Sequence, residues 1–136
     1  MRFNWPSFQR KRAPLSGAPE VRRQKTYSAQ SGYVYQYYYE GYRPFQDGHE
    51  HGLEYVFDVS ADRKTSIAVS VRVSDAALEL WQGAHQRELS STERYAIAKM
   101  SLFQAFDERE HPAQMKHEVQ VRPADVDAIL ASLDID

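Results

Sequence analysis

Seven of the nine tyrosines fall between residues 33 and 59, and four of them (Tyr33, Tyr35, Tyr37 and Tyr39) recur at every second position. A period of two is the period of an extended strand. It sets those four rings on one face and Val34, Gln36, Tyr38 and Glu40 on the other. Such a segment has to find a partner strand and a layer to cover its aromatic side. The rest of the chain is therefore read for what supplies them.

The stretch "GYRPFQDGHEHG" that follows holds Gly41, Pro44, Gly48 and Gly52, and by composition reads as a loop. A second strand is expected in "LEYVFDV", where Leu53, Tyr55, Phe57 and Val59 alternate with Glu54, Val56 and Asp58. After the turn "SADRKT", Ile67, Val69, Val71 and Val73 mark a third strand. Short links between successive strands predict an antiparallel meander.

The period then changes. Ser74 is a good N-cap, with Asp75 placed favourably against the helix dipole, and Ala77, Leu78, Leu80, Trp81 and Ala84 give an apolar face. Gly83 either ends this helix or is carried inside it. "SSTE" is a capping box, Ser90 as N-cap and Glu93 three residues on. It opens a long helix with an apolar stripe through Tyr95, Ala98, Leu102, Ala105 and Phe106, widened by Ile97, Met100 and Phe103. Arg94 and Lys99 read as part of its solvated side. "HEVQVR" is a short fourth strand, and Pro123 starts a closing helix that buries Val126, Ile129, Leu130 and Leu133. The expected fold is α+β: a three-stranded antiparallel meander plus a short fourth strand, helices packed on one face, in the order βββααβα.

Charge divides the chain. Residues 1–30 contain seven cations (Arg2, Arg10, Lys11, Arg12, Arg22, Arg23 and Lys25) and one acid, Glu20, although the whole chain carries a formal net charge of −2. Pro, Gly and Ser are scattered through the same segment, which offers little to bury. The expectation is a flexible basic arm over residues 1–30 and a single α+β domain over 31–136. Phe3, Trp5 and Phe8 are the arm's apolar groups, suited to docking on the body or on a partner. The absence of cysteine excludes disulfides and thiol chemistry. No apolar run reaches the roughly 20 residues of a spanning helix, and none near the start has signal-peptide length. A cytoplasmic protein without membrane contact is expected.

Three sites stand out. An exposed tyrosine row on a sheet can hold a protein partner or a second copy of the chain, and Tyr33, Tyr35, Tyr38 and Tyr42 are its candidates. The plainer reading is an ordinary strand, since tyrosine has high β propensity. His49 and His51, two apart, have the spacing of a pair of metal ligands, with Glu54 (or Glu50) as the carboxylate and His85, His111 or His117 to complete the set. The plainer reading is a solvated loop tip. The cations Arg10, Lys11, Arg12, Arg22, Arg23 and Lys25 could hold phosphate backbones by charge alone, against the repulsion of an acidic body. No Ser lies in a nucleophile elbow, and no glycine-rich phosphate loop is present. The function expected is therefore a non-catalytic protein-binding or assembly module using the tyrosine-rich hairpin and the basic arm, with self-association as one form. A protein binding a divalent metal at "HEH" is the alternative, and a nucleic-acid-binding accessory protein is the third. No cofactor beyond that metal is expected.

Overall fold

The computed structural model describes residues 12–135. Arg2, Arg10, Lys11 and the rings of Phe3, Trp5 and Phe8 lie outside the described residues. The chain forms β1 (Lys25–Ser28), β2 (Val34–Asp47), β3 (Glu50–Ser60), β4 (Ile67–Ser74), α1 (Asp75–His85), α2 (Ser91–Glu108), a 3₁₀ turn at Pro112–Lys116, β5 (Val119–Val121) and α3 (Pro123–Ser132). The five strands make one mixed sheet in chain order. The first four are antiparallel, and β5 lies parallel to β4 at the far edge.

The α+β class and the meander hold, but the strands differ from expectation in two places. First, the order is ββββααβα. An additional strand, β1, pairs Lys25 with Tyr37 and Tyr27 with Tyr35, so the sheet begins inside the segment read as an arm and the boundary at residue 31 falls within it. Second, "GYRPFQDGHEHG" is not a loop. It is the far half of a long hairpin in which Tyr42 faces Tyr55 and Asp47 faces Glu50, and only Gly48 and His49 form the turn. Gly48 has φ 63°, the glycine-first pattern of a tight hairpin turn. Pro44 is tolerated because β1 pairs with β2 only as far as Tyr37, leaving the far half of β2 as an edge.

The long hairpin contains a bulge. Tyr39 faces Phe57 but Gly41 faces Val56, so Glu40 is extra. One extra residue inverts the alternation of everything after it. Tyr35, Tyr37 and Tyr39 share the aromatic face with Tyr42, an even-numbered residue that would otherwise turn away. Gly41 makes this possible. Its φ is 125°, and a Cβ there would lie 2.5 Å from the Ser16 carbonyl oxygen.

One buried cluster unites that face with the helices. Tyr35, Phe57 and Val71 from the sheet join Leu78 of α1, Leu102 and Phe106 of α2, and Leu130 of α3. Phe106 stacks on Tyr35, centroids 4.1 Å apart and planes 10° from parallel. The capping box of α2 forms as its sequence predicts, with Glu93 N–H donating to Ser90 Oγ and Ser90 N–H to Glu93 Oε1. Gly83 sits inside α1, and Pro123 opens α3. Leu80 is 68% exposed and lies off the buried side of α1, which consists of Ala77, Leu78 and Trp81. Leu133 caps α3 and is also exposed.

Candidate functional site

Between the sheet and the N-terminal half of α2, on the side of Phe106 toward Ser91, lies a cleft of about 610 Å³. Tyr37, Tyr39, Tyr42 and Tyr55 of the hairpin line one side, and Arg94, Tyr95 and Lys99 of α2 another. The third wall is the extended run leading into β1, with Gly17, Pro19, Val21 and Arg23, and Lys25 at the start of β1. The volume is within the range of small-molecule sites.

Local chemistry fixes that third wall. Ser16 and Tyr42 exchange two main-chain hydrogen bonds of 2.8 and 2.9 Å, which anchors the run to the edge of β2. Further along, Arg22 donates to Glu40 and Asp58, each at 2.8 Å, and its guanidinium lies 3.7 Å from the Tyr38 ring centroid. The Tyr38 hydroxyl donates to Gln24. Extended backbone alternates, so Arg22 and Gln24 turn to the helix-free face while Val21, Arg23 and Lys25 turn into the cleft.

The cleft's electrostatics are one-sided. Its lining contains Arg23, Lys25, Arg94 and Lys99 and no carboxylate. Elsewhere, Arg22, Arg43, Arg72, Arg87 and Arg122 each hold a carboxylate, and Arg109 is bound by the carbonyls of Gln114, His117 and Glu118. Among the described residues none of the four cleft cations forms an ion pair, and the Arg94 Nε is buried without a hydrogen-bond partner. Lys99 has only the Phe103 ring, 5.8 Å away.

The cleft's five phenols have no hydrogen-bond partner among the described residues either, unlike those of Tyr27 and Tyr38. Burial pushes Tyr37, Tyr39, Tyr55 and Tyr95 above the usual tyrosine value, Tyr55 up to about 12 even though Arg94 pulls it down. At neutral pH these hydroxyls are therefore protonated donors. Tyr37 and Tyr55 are buried in the floor, and Tyr39, Tyr42 and Tyr95 are half-buried walls.

The residues singled out by sequence are dispersed. Tyr35 is buried against Phe106, Tyr33 lies near His111 at the start of β2, Tyr38 is on the helix-free face under Arg22, and Tyr42 lines the cleft. The four do not form one row, because the alternation sends Tyr38 to the opposite side and α2 covers Tyr35. His49 is in the hairpin turn, and the His51 ring is 2.9 Å from Asp75. Glu54 is three residues from His51 along a regular strand and so on the opposite face, where it pairs with Arg43 at 2.7 Å and lies 3.5 Å from Arg72. Glu50 is exposed, His85 stacks on Trp81, His111 caps the 3₁₀ turn and His117 is exposed. Among the described residues no three His, Asp or Glu side chains gather as a metal-ligand group. Of the cations proposed for phosphate contact, Arg12 is exposed, Arg22 is occupied by carboxylates, and Arg23 and Lys25 face the cleft.

Sequence reasoning passed over Arg94 and Lys99, read as solvent-facing, Tyr95, read as part of the apolar stripe of the long helix, and Tyr39, placed on one face of the strand but not among the site candidates. The available signal was the alternation Val21–Arg23–Lys25–Tyr27, the period of a strand running into β1. Among the described residues no helix is long and apolar enough to cross a membrane. No protein-family model matches this chain, and neither a curated protein nor a solved structure matches it.

Proposed function

We propose that the protein is a non-catalytic binding module whose recognition site is this cleft and whose ligand is anionic. One observation carries the reading: four cations without carboxylate partners surround five phenols without hydrogen-bond partners. Like charges gathered in a half-enclosed site raise its potential and are unfavourable for the fold. A bound anion would relieve that cost and supply acceptors to hydroxyls that can only find water. Among the described residues the lining has neither histidine nor carboxylate, the side chains that most often serve as general base. This reading keeps the tyrosine-rich hairpin and the basic segment as the binding elements. It moves the binding surface from an exposed strand to the space between hairpin, α2 and the run before β1.

Isothermal titration calorimetry of the untagged protein with inorganic tripolyphosphate tests it. The expected result is one site per chain, weaker as salt rises and weakened roughly a hundredfold in the double variant Arg94→Glu with Lys99→Glu, whose circular dichroism stays native. Absence of binding at low salt, or binding that the double reversal leaves unchanged, overturns it.

A further inference from the structure

We infer that the anionic ligand of the cleft is a nucleotide, its base lying on the tyrosine rings and its phosphate among Arg94, Lys99, Arg23 and Lys25. This rests on the anion-binding reading above and adds the ring to it.

The argument begins with the ring faces. Tyr27 and Tyr35 each have a near-parallel partner, Phe103 at 8° and Phe106 at 10°. The cleft rings meet one another only at steep angles: Tyr39 and Tyr95 at 57°, Tyr42 and Tyr55 at 43°, Tyr55 and Tyr95 at 57°. Among the described residues none of them has a parallel stacking partner, the nearest to parallel being Tyr95 with Phe57 at 31°, and Tyr39, Tyr42 and Tyr95 are only half-buried. A planar ligand ring can take such a face, and every nucleobase has one.

The backbone argues against the other common anionic partner, an acidic peptide. Extended peptides bind by adding a strand to a free sheet edge. Here the main chain at Tyr42, on the exposed half of β2, already gives its N–H and C=O to Ser16 of the same chain. The cleft offers side-chain donors and ring faces instead. Its volume of about 610 Å³ suits a single compact ligand or one nucleotide of a strand. Neutral phenol donors suit the carbonyl and ring-nitrogen acceptors of a base, and the unpaired cations suit its phosphate.

A free mononucleotide and one nucleotide of a single strand share this chemistry, so the experiment carries both. Adenosine and uridine monophosphate, hexathymidylate, ribose phosphate and hexaglutamate are titrated into the untagged protein beside tripolyphosphate. The expected result is that a mononucleotide or the oligonucleotide binds about tenfold more tightly than ribose phosphate, the base being the difference. Tyr95→Leu and Tyr42→Leu should each narrow that gap by weakening nucleotide binding more than tripolyphosphate binding. Tyr95→Phe and Tyr42→Phe, which keep the ring, should preserve the gap, and two positions guard against one variant failing to fold. Tighter binding of hexathymidylate than of either monophosphate assigns the ligand to single strands, and the reverse assigns it to free nucleotides. If ribose phosphate equals the nucleotides while tripolyphosphate still binds, the nucleotide inference falls and the anion reading stands. Hexaglutamate binding more tightly than every nucleotide overturns the inference in favour of an acidic protein. If nothing binds, both readings fall.

Discussion

The two faces of the sheet use the same residue types to opposite ends. On the helix-free face, arginines are neutralised: Arg22 by Glu40 and Asp58, Arg43 by Glu54, and Arg72 by Glu118, with Glu54 and Asp47 close by. On the cleft side, Arg23, Lys25, Arg94 and Lys99 face tyrosines and no acid. Arg22 and Arg23 are neighbours in the chain, yet one is held by carboxylates and the other is not. The difference teaches that charge count in a segment says little about its role. The face on which each side chain emerges decides whether its charge is spent within the fold or left for something else.

The largest test of this contrast concerns Glu54, whose side chain is 4% exposed and faces two arginines that are themselves largely buried. Glu54→Ala leaves those charges uncompensated and should cost about 3 kcal/mol or more in urea unfolding. Next is the charge reversal in the cleft. Arg94→Glu with Lys99→Glu removes two charge-assisted contacts and should weaken tripolyphosphate binding roughly a hundredfold by calorimetry. By contrast, Arg94→Ala should change unfolding free energy by no more than about 0.5 kcal/mol, because it breaks no ion pair. A loss comparable with that of Glu54→Ala would erase the distinction between the faces.

A further test is a pH dependence. Burial raises the Tyr55 phenol from 10.0 to about 12 in the fold. The unfolded chain therefore releases this proton first. The associated stability is full below pH 10 and is lost as pH rises through about 12. Tyr55→Phe should flatten that part of an alkaline unfolding profile, and an unchanged slope would place the cleft floor in contact with water.

Much of the fold was legible because local signals agreed with the tertiary ones. Ser90 and Glu93 cap α2, Pro123 opens α3, and Ile67 to Val73 alternate as they do in the sheet. The far hairpin was hidden because its glycines answer to distant backbone. Gly41 makes room for Ser16, and a Cβ at Gly52 would lie 2.3 Å from the Val73 carbonyl oxygen. Nothing within residues 41–52 announces either neighbour, so composition alone points to a loop. The first strand was hidden by its length of four residues and its polar sequence. The cleft was less legible still. Its tyrosines were visible as a group, but its cations come from the start of the first strand and the run before it and from a helix some 70 residues later, and only folding brings Arg23 and Arg94 to one cleft.

Glu40 has a consequence for how this hairpin tolerates insertions and deletions. Adding or removing two residues in either arm preserves the phase of the pleat, whereas removing one regularly paired residue inverts it. Loss of Glu40 would remove the bulge and keep Tyr39 opposite Phe57, Gly41 opposite Val56 and Tyr42 opposite Tyr55, so the aromatic face would survive, whereas pairing Glu40 into the ladder without shortening the chain would carry Tyr42 out to the side of the carboxylates. The recognition half of the hairpin thus tolerates shortening at the bulge, while loss of one residue anywhere else between Tyr35 and Tyr42 would exchange the side chains offered to a ligand.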